Sequence, residues 1–172
     1  MAPFTLQFDP RQIRDLGARY AYEDDSGPRQ AGASAAARGH YTRDEFLGVC
    51  SWKTERSAPL VQGNSTATVE AATRASFAAG DDEAERIECL LTLEGVGVPT
   101  ASALLHFAFP EDYPILDVRA LESLGHKGRS VYPVSFWEQY VHACRELAAE
   151  HGVSIRELDK ALWQWSKDQG DG

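Results

Sequence analysis

Apolar residues recur at helical spacing along most of this chain, and no stretch alternates apolar and polar residues long enough to make a useful strand. Asp9-Pro10 reads as an N-cap followed by a first-turn proline, opening a helix through Ile13, Leu16, Gly17 and Tyr20. Residues 26–39 are small and polar with no apolar period, which predicts a flexible surface loop. Thr42-Arg43-Asp44-Glu45 has capping-box spacing ahead of Phe46, Leu47, Val49 and Cys50, and that helix ends near Trp52-Lys53. Asn64 or Ser65 caps a third helix carrying Val69, Ala72 and Phe77, with Gly80 as its stop. Asp82, with Glu85 three residues on, opens a helix carrying Ile87, Leu90 and Leu91. Another begins at Val98-Pro99 with Ala101, Leu104, Leu105, Phe107 and Ala108 on its apolar face, and a short one ends at Gly125. Ser135-x-x-Glu138 and Ser154-x-x-Glu157 predict the starts of the last two helices. The predicted fold is all-α, a compact bundle of about eight helices.

Composition changes this picture little. A length of 172 residues predicts one domain with a single buried core, and 43% hydrophobic and 10% aromatic residues are ordinary for a globular chain. No apolar run approaches the roughly 18 residues of a membrane span, so no membrane partner is expected. The first residues show no basic start followed by an apolar stretch, which argues for a cytoplasmic protein. Cys50, Cys89 and Cys144 are odd in number and widely spaced, the pattern of buried thiols rather than a disulfide framework. No cysteine or histidine cluster has zinc-ligand spacing, so no metal site is expected. The net charge of −9 argues against a non-specific nucleic-acid coat, though not against a few backbone amides with a local basic rim.

Candidate chemistry gathers between Leu90 and Gly125. The chain turns at Glu94-Gly95-Val96-Gly97, where glycines can take positive φ, and re-enters a helix at Val98-Pro99-Thr100. A tight Gly-x-Gly turn opening a helix directs several unpaired N–H groups one way, which suits a phosphate. Further on, Asp117 stands alone among Ile115, Leu116 and Val118.

The stretch Leu93-Glu94-Gly95-Val96-Gly97-Val98-Pro99-Thr100-Ala101 resembles the helix-hairpin-helix of the DNA glycosylase superfamily, the endonuclease III-like enzymes. Asp117 follows Pro99 by 18 positions (117 − 99), similar to the separation between hairpin and catalytic aspartate in that superfamily. Ile115-Leu116-Asp117-Val118 is similar to its apolar-apolar-Asp stretch, and the match covers about a fifth of the chain. The resemblance implies a DNA partner, a phosphate held at Gly95, Val96, Gly97 and Thr100, a monovalent cation as a candidate ligand of the hairpin, and Asp117 as the catalytic carboxylate. Pro99 stands where bifunctional members carry a Schiff-base lysine, so the enzyme implied is monofunctional. No cysteine set follows at the C-terminal end beyond Cys144, so no iron–sulfur cluster or other cofactor is implied.

Each residue also has a plainer reading. Gly95 and Gly97 could form an ordinary helix–helix turn, and Asp117 could simply cap the following helix, a role compatible with catalysis. Trp52, Tyr113 and Tyr132 are candidate walls for an extruded base, or core rings. Lys53 and Arg56 could touch phosphate from a cleft, with Lys53 as a relocated amine nucleophile, or be solvated residues at a helix end. Arg119, His126, Lys127 and Arg129 form the one locally basic stretch after Asp117, a candidate DNA rim or an exposed loop. His106 reads as a core or boundary histidine, Trp163 and Trp165 as clamps. Three functions follow: a monofunctional DNA N-glycosylase; a catalytically silent helix-hairpin-helix module binding DNA or protein; and an enzyme using the same carboxylate on another nucleotide or small glycoside.

Overall fold

A computed structural model describes residues 3–170. Among them are ten α-helices and no strand, so the all-α class holds: α1 (Ile13–Ala18), α2 (Ser26–Arg38), α3 (Arg43–Lys53), α4 (Ala58–Val61), α5 (Thr66–Phe77), α6 (Glu83–Leu91), α7 (Val98–Ala108), α8 (Val118–Ser123), α9 (Val134–His151) and α10 (Ile155–Gly170). The chain divides into two compact units, one made of residues 1–22 and 111–172, the other of residues 23–110. No helix among the described residues is long and apolar enough to cross a membrane.

The middle unit is built around α7, in which every residue except Pro99 is buried. Helices α2, α3 and α6 pack on it. Tyr41 is fully buried and its hydroxyl donates to the Leu104 carbonyl at 2.6 Å, satisfying a polar group that burial would otherwise penalise. The expected loop over residues 26–39 is instead the helix α2, ended by Gly39 in the left-handed conformation. Its buried stripe is Pro28, Gly32 and Ala35, at helical spacing but too small to register as an apolar pattern. Ala-rich segments favour helix on their own account. Gly32 permits the contact: a Cβ there would lie 2.0 Å from the Phe107 carbonyl oxygen.

In the other unit α10 is the element on which α1, α8 and α9 pack. Its apolar face of Ile155, Leu158, Ala161 and Leu162 is buried, while Trp163 and Trp165 are half-buried at its margins, Trp165 stacked on Phe8 at 5.7 Å. The residues preceding α1 run beside the end of α8, with the Thr5 and Gln7 amides donating to the Leu124 and Ser123 carbonyls at 3.0 Å. Fully buried Trp137, Tyr140 and Leu121 fill the space between helices.

Most predicted helix starts are present. Asp9 caps a 3-10 turn (Pro10–Gln12) that leads into α1, and Asp82 accepts the Glu85 amide at 3.0 Å. Thr42 with Glu45, and Ser154 with Glu157, make both reciprocal bonds of a capping box. Ser65, not Asn64, caps α5. Ser135 does not cap α9, which starts two residues earlier than that cap would place it, behind Pro133, whose φ of −59° and ψ of 153° already set the chain in the extended entry conformation. Residues 54–57 lead without regular structure into the short α4, with Pro59 in its first turn.

Candidate functional site

Two parts of the predicted site lie in different units, and each is built from its own surroundings. In the middle unit the α6–α7 turn spans residues 92–97. Gly95 takes φ +76°, and a Cβ there would meet the Leu60 Cβ at 2.7 Å and the Val61 nitrogen at 2.9 Å, so both conformation and space require glycine. Gly97 departs from expectation: its φ is −97° and ψ −179°, an extended conformation open to any residue. It is the N-cap of α7 by backbone alone, its carbonyl accepting the Ala101 amide at 2.9 Å. Val96 is buried and its N–H donates to the Leu93 carbonyl at 3.2 Å, which removes it from the amides that could face an anion. The Gly97, Val98 and Thr100 amides head the helix, where the first N–H groups have no intrahelical acceptor, and Pro99 contributes none. The Thr100 side chain is buried.

Asn64 holds this turn. Its side chain, 4% exposed, accepts the Glu94 amide at 2.9 Å and donates to the carbonyls of Glu94 at 3.0 Å and Val61 at 2.9 Å. Arg43 in turn donates to the carbonyls of Asn64 at 2.8 Å and Gln62 at 2.7 Å. Neither residue was singled out for this role, because contacts across 30 residues of sequence leave no local pattern.

In the other unit Asp117 sits in extended conformation at the head of α8, half-buried, its Oδ1 accepting the Ala120 amide at 2.7 Å. The capping role is therefore real. The segment leading to it, Tyr113 to Leu116, is buried and held from two sides. Asp159 of α10, 5% exposed, accepts the Ile115 amide at 3.0 Å, and the Tyr140 hydroxyl donates to the Ile115 carbonyl at 2.6 Å. Asp159 was missed, though an acid inside the Leu158–Leu162 apolar stripe is the signal that could have marked it. Burial raises the Tyr20 phenol above its usual range; the Arg156 charge opposes this, and Asp117 and Asp159 add to it. Burial and then Asp117 likewise raise Tyr132.

The remaining candidates separate into core and surface. Trp52 is a core ring, edge-on to Phe107 at 5.1 Å, with its indole N–H donating to the Glu23 carbonyl at 3.4 Å. Tyr113 is buried and stacks on Trp137 at 6.0 Å. Tyr132 is half-buried against Phe136, and its hydroxyl donates to the Arg129 carbonyl at 2.9 Å. Lys53 is half-buried at the end of α3, and Arg56 is exposed. Lys127 pairs with Glu122 at 3.3 Å, and Arg129 lies 4.1 Å over the Phe136 ring. Arg119 lies 5.4 Å over Trp163. His106 is buried, edge-on to Phe107 at 5.0 Å.

Cys50 and Cys144 are buried free thiols and Cys89 is half-buried; burial pushes the Cys50 thiol up to about 12. Among the described residues no group of three or more His, Cys, Asp or Glu is placed to hold a metal ion. These features define a helical protein with a tightly held helix-to-helix turn in one unit and a capped, half-buried carboxylate in the other. Comparisons of the chain with protein-family models, with curated proteins and with solved structures find no match.

Proposed function

We propose that this protein is a monofunctional DNA N-glycosylase in which Asp117 is the catalytic carboxylate. The observation that carries the reading is the placement of Asp117, half-buried, with one carboxylate oxygen fixed by the Ala120 amide and the main chain behind it held by Asp159 and Tyr140. Excising a base leaves an oxocarbenium-like sugar. A carboxylate held in one orientation stabilises that charge and orients or deprotonates the attacking water. Fixing its geometry in advance lowers the reorganisation needed in the transition state.

The α6–α7 turn supports the same reading. Its Gly97, Val98 and Thr100 amides head a helix that can receive a backbone phosphate, with a monovalent cation as a candidate bridge. Pro99 occupies the position of the family's lysine, so base release proceeds by hydrolysis without lyase chemistry from that residue. Lys127 is tied to Glu122, leaving Lys53, Arg56, Arg119 and Arg129 as the better candidates for DNA contact.

The test is an excision assay on oligonucleotides carrying deaminated, alkylated or oxidised bases, in single- and double-stranded form. Abasic sites formed by the wild-type protein support the reading. A silent helix-hairpin-helix module is the second reading, favoured by the net charge of −9 and the absent lysine. It predicts DNA binding at low salt with no excision from any substrate.

A further inference from the structure

In the unit containing α10, cations are laid against aromatic rings. Arg156 and Lys160 lie over the Tyr20 ring at 5.2 and 5.7 Å, while Arg119 and Lys167 lie over the Trp163 indole at 5.4 and 5.7 Å. The rings meet edge to face, Trp163 being 5.3 Å from both Tyr20 and Tyr22. All seven residues are half-buried, so the cluster lies at the boundary between core and solvent.

The acids on the same elements are directed elsewhere. Asp15 and Asp168 pair with Arg19, and Glu157 faces Arg14 and caps α10. Asp159 turns inward to the Ile115 amide. Glu122 lies within electrostatic reach of Arg119, but its carboxylate bonds Ser166 and pairs with Lys127. Arg119 and Lys160 make no ion pair among the described residues. In a chain of net charge −9, Arg119 and Lys160 are thus two cations set against rings and not engaged in an ion pair among the described residues. It is the charged heads, the Arg119 guanidinium and the Lys160 ammonium, that lie over the rings, and a head placed there keeps N–H groups with which to meet an anion.

We propose that the face formed by Tyr20, Tyr22, Trp163, Arg119 and Lys160 binds single-stranded nucleic acid, with the cations taking phosphates and the rings stacking unpaired bases. The combination of cation and ring selects this partner: an acidic peptide would use the charges and leave the rings idle, and bases within a duplex are already stacked. The site requires neither chemistry at Asp117 nor the α6–α7 turn.

The test uses the full chain and a fluorescently labelled oligothymidylate of about fifteen nucleotides, with anisotropy followed from about 50 to about 200 mM salt. The double variant Arg119→Glu/Lys160→Glu should bind at least about tenfold more weakly, with a salt slope shallower by about two. Trp163→Leu should weaken binding by about tenfold and leave the slope unchanged. Arg74→Glu, on α5 of the other unit, should stay within about twofold of wild type. Should Trp163→Leu not fold, the charge variant decides alone. No binding at low salt, a loss as large in Arg74→Glu, or equal competition by polyglutamate of matched charge would overturn the proposal. Its fate is separate from that of the glycosylase: a protein that excises nothing yet shows this pattern keeps the binding face, and one whose excision and binding both ignore the double variant loses it.

Discussion

At the scale of single residues, Asp117 does two things that mutation can separate. Its Oδ1 accepts the Ala120 amide at 2.7 Å, and asparagine offers an acceptor in the same place while alanine does not. Asp117→Asn should therefore keep native stability, and Asp117→Ala should lose about 1 kcal/mol in a denaturant titration. Equal stability losses in both variants would mean that the carboxylate charge, not the cap, matters to the fold. Asn64 is the second such residue. Truncation to alanine removes three hydrogen bonds and leaves the Glu94 amide without its partner, so Asn64→Ala should cost about 2–3 kcal/mol. The check is amide hydrogen exchange: faster exchange at Glu94, with α10 unaffected, is the expected outcome.

At the scale of elements, helix starts were legible where the chemistry is local. Thr42 with Glu45, Asp82 with Glu85 and Ser154 with Glu157 lie three residues apart, and the bonds predicted from that spacing are present. Ser135 had the same spacing to Glu138 but lost to Pro133, whose fixed φ sets the entry to α9 two residues earlier. Helix α2 was not legible, because its buried stripe of Pro28, Gly32 and Ala35 carries too little hydrophobicity to show a period. That stripe makes a sharp prediction. Gly32→Val would drive side-chain atoms into the Phe107 backbone, where a Cβ already stands 2.0 Å from the carbonyl oxygen. The expected cost is about 3 kcal/mol, read as a fall in Tm, whereas Gly27→Ala, which meets nothing within 4 Å, should leave Tm nearly unchanged. The turn at Gly95 was legible from its glycine, but the extended φ of Gly97 was not, since a helix N-cap asks nothing of a side chain when the backbone carbonyl does the work.

At the scale of the whole molecule, long-range pairings decide what local pattern cannot. The core around α10 draws on residues before Tyr22 and after Glu111, and Thr5 bonds Leu124 across more than a hundred residues. No periodicity announces such a pairing, nor the position of Asp159 behind Ile115. The three cysteines are a whole-molecule probe of the same packing. At a pH of about 8, a thiol reagent should label Cys89 first and reach Cys50 and Cys144 only on unfolding, because burial keeps those two as neutral thiols. Three thiols reacting together in the native protein would contradict the packing described.

The claim at the centre of the functional reading is that Asp117 performs chemistry and does not merely cap α8. Single-turnover excision by wild type and by Asp117→Asn, on any substrate from which the wild type releases a base, tests this directly, because the asparagine variant retains the cap. A rate in Asp117→Asn lower by at least about a hundredfold, with stability unchanged, is the predicted result. Equal rates in the two proteins would remove Asp117 from the chemistry and contradict the assignment.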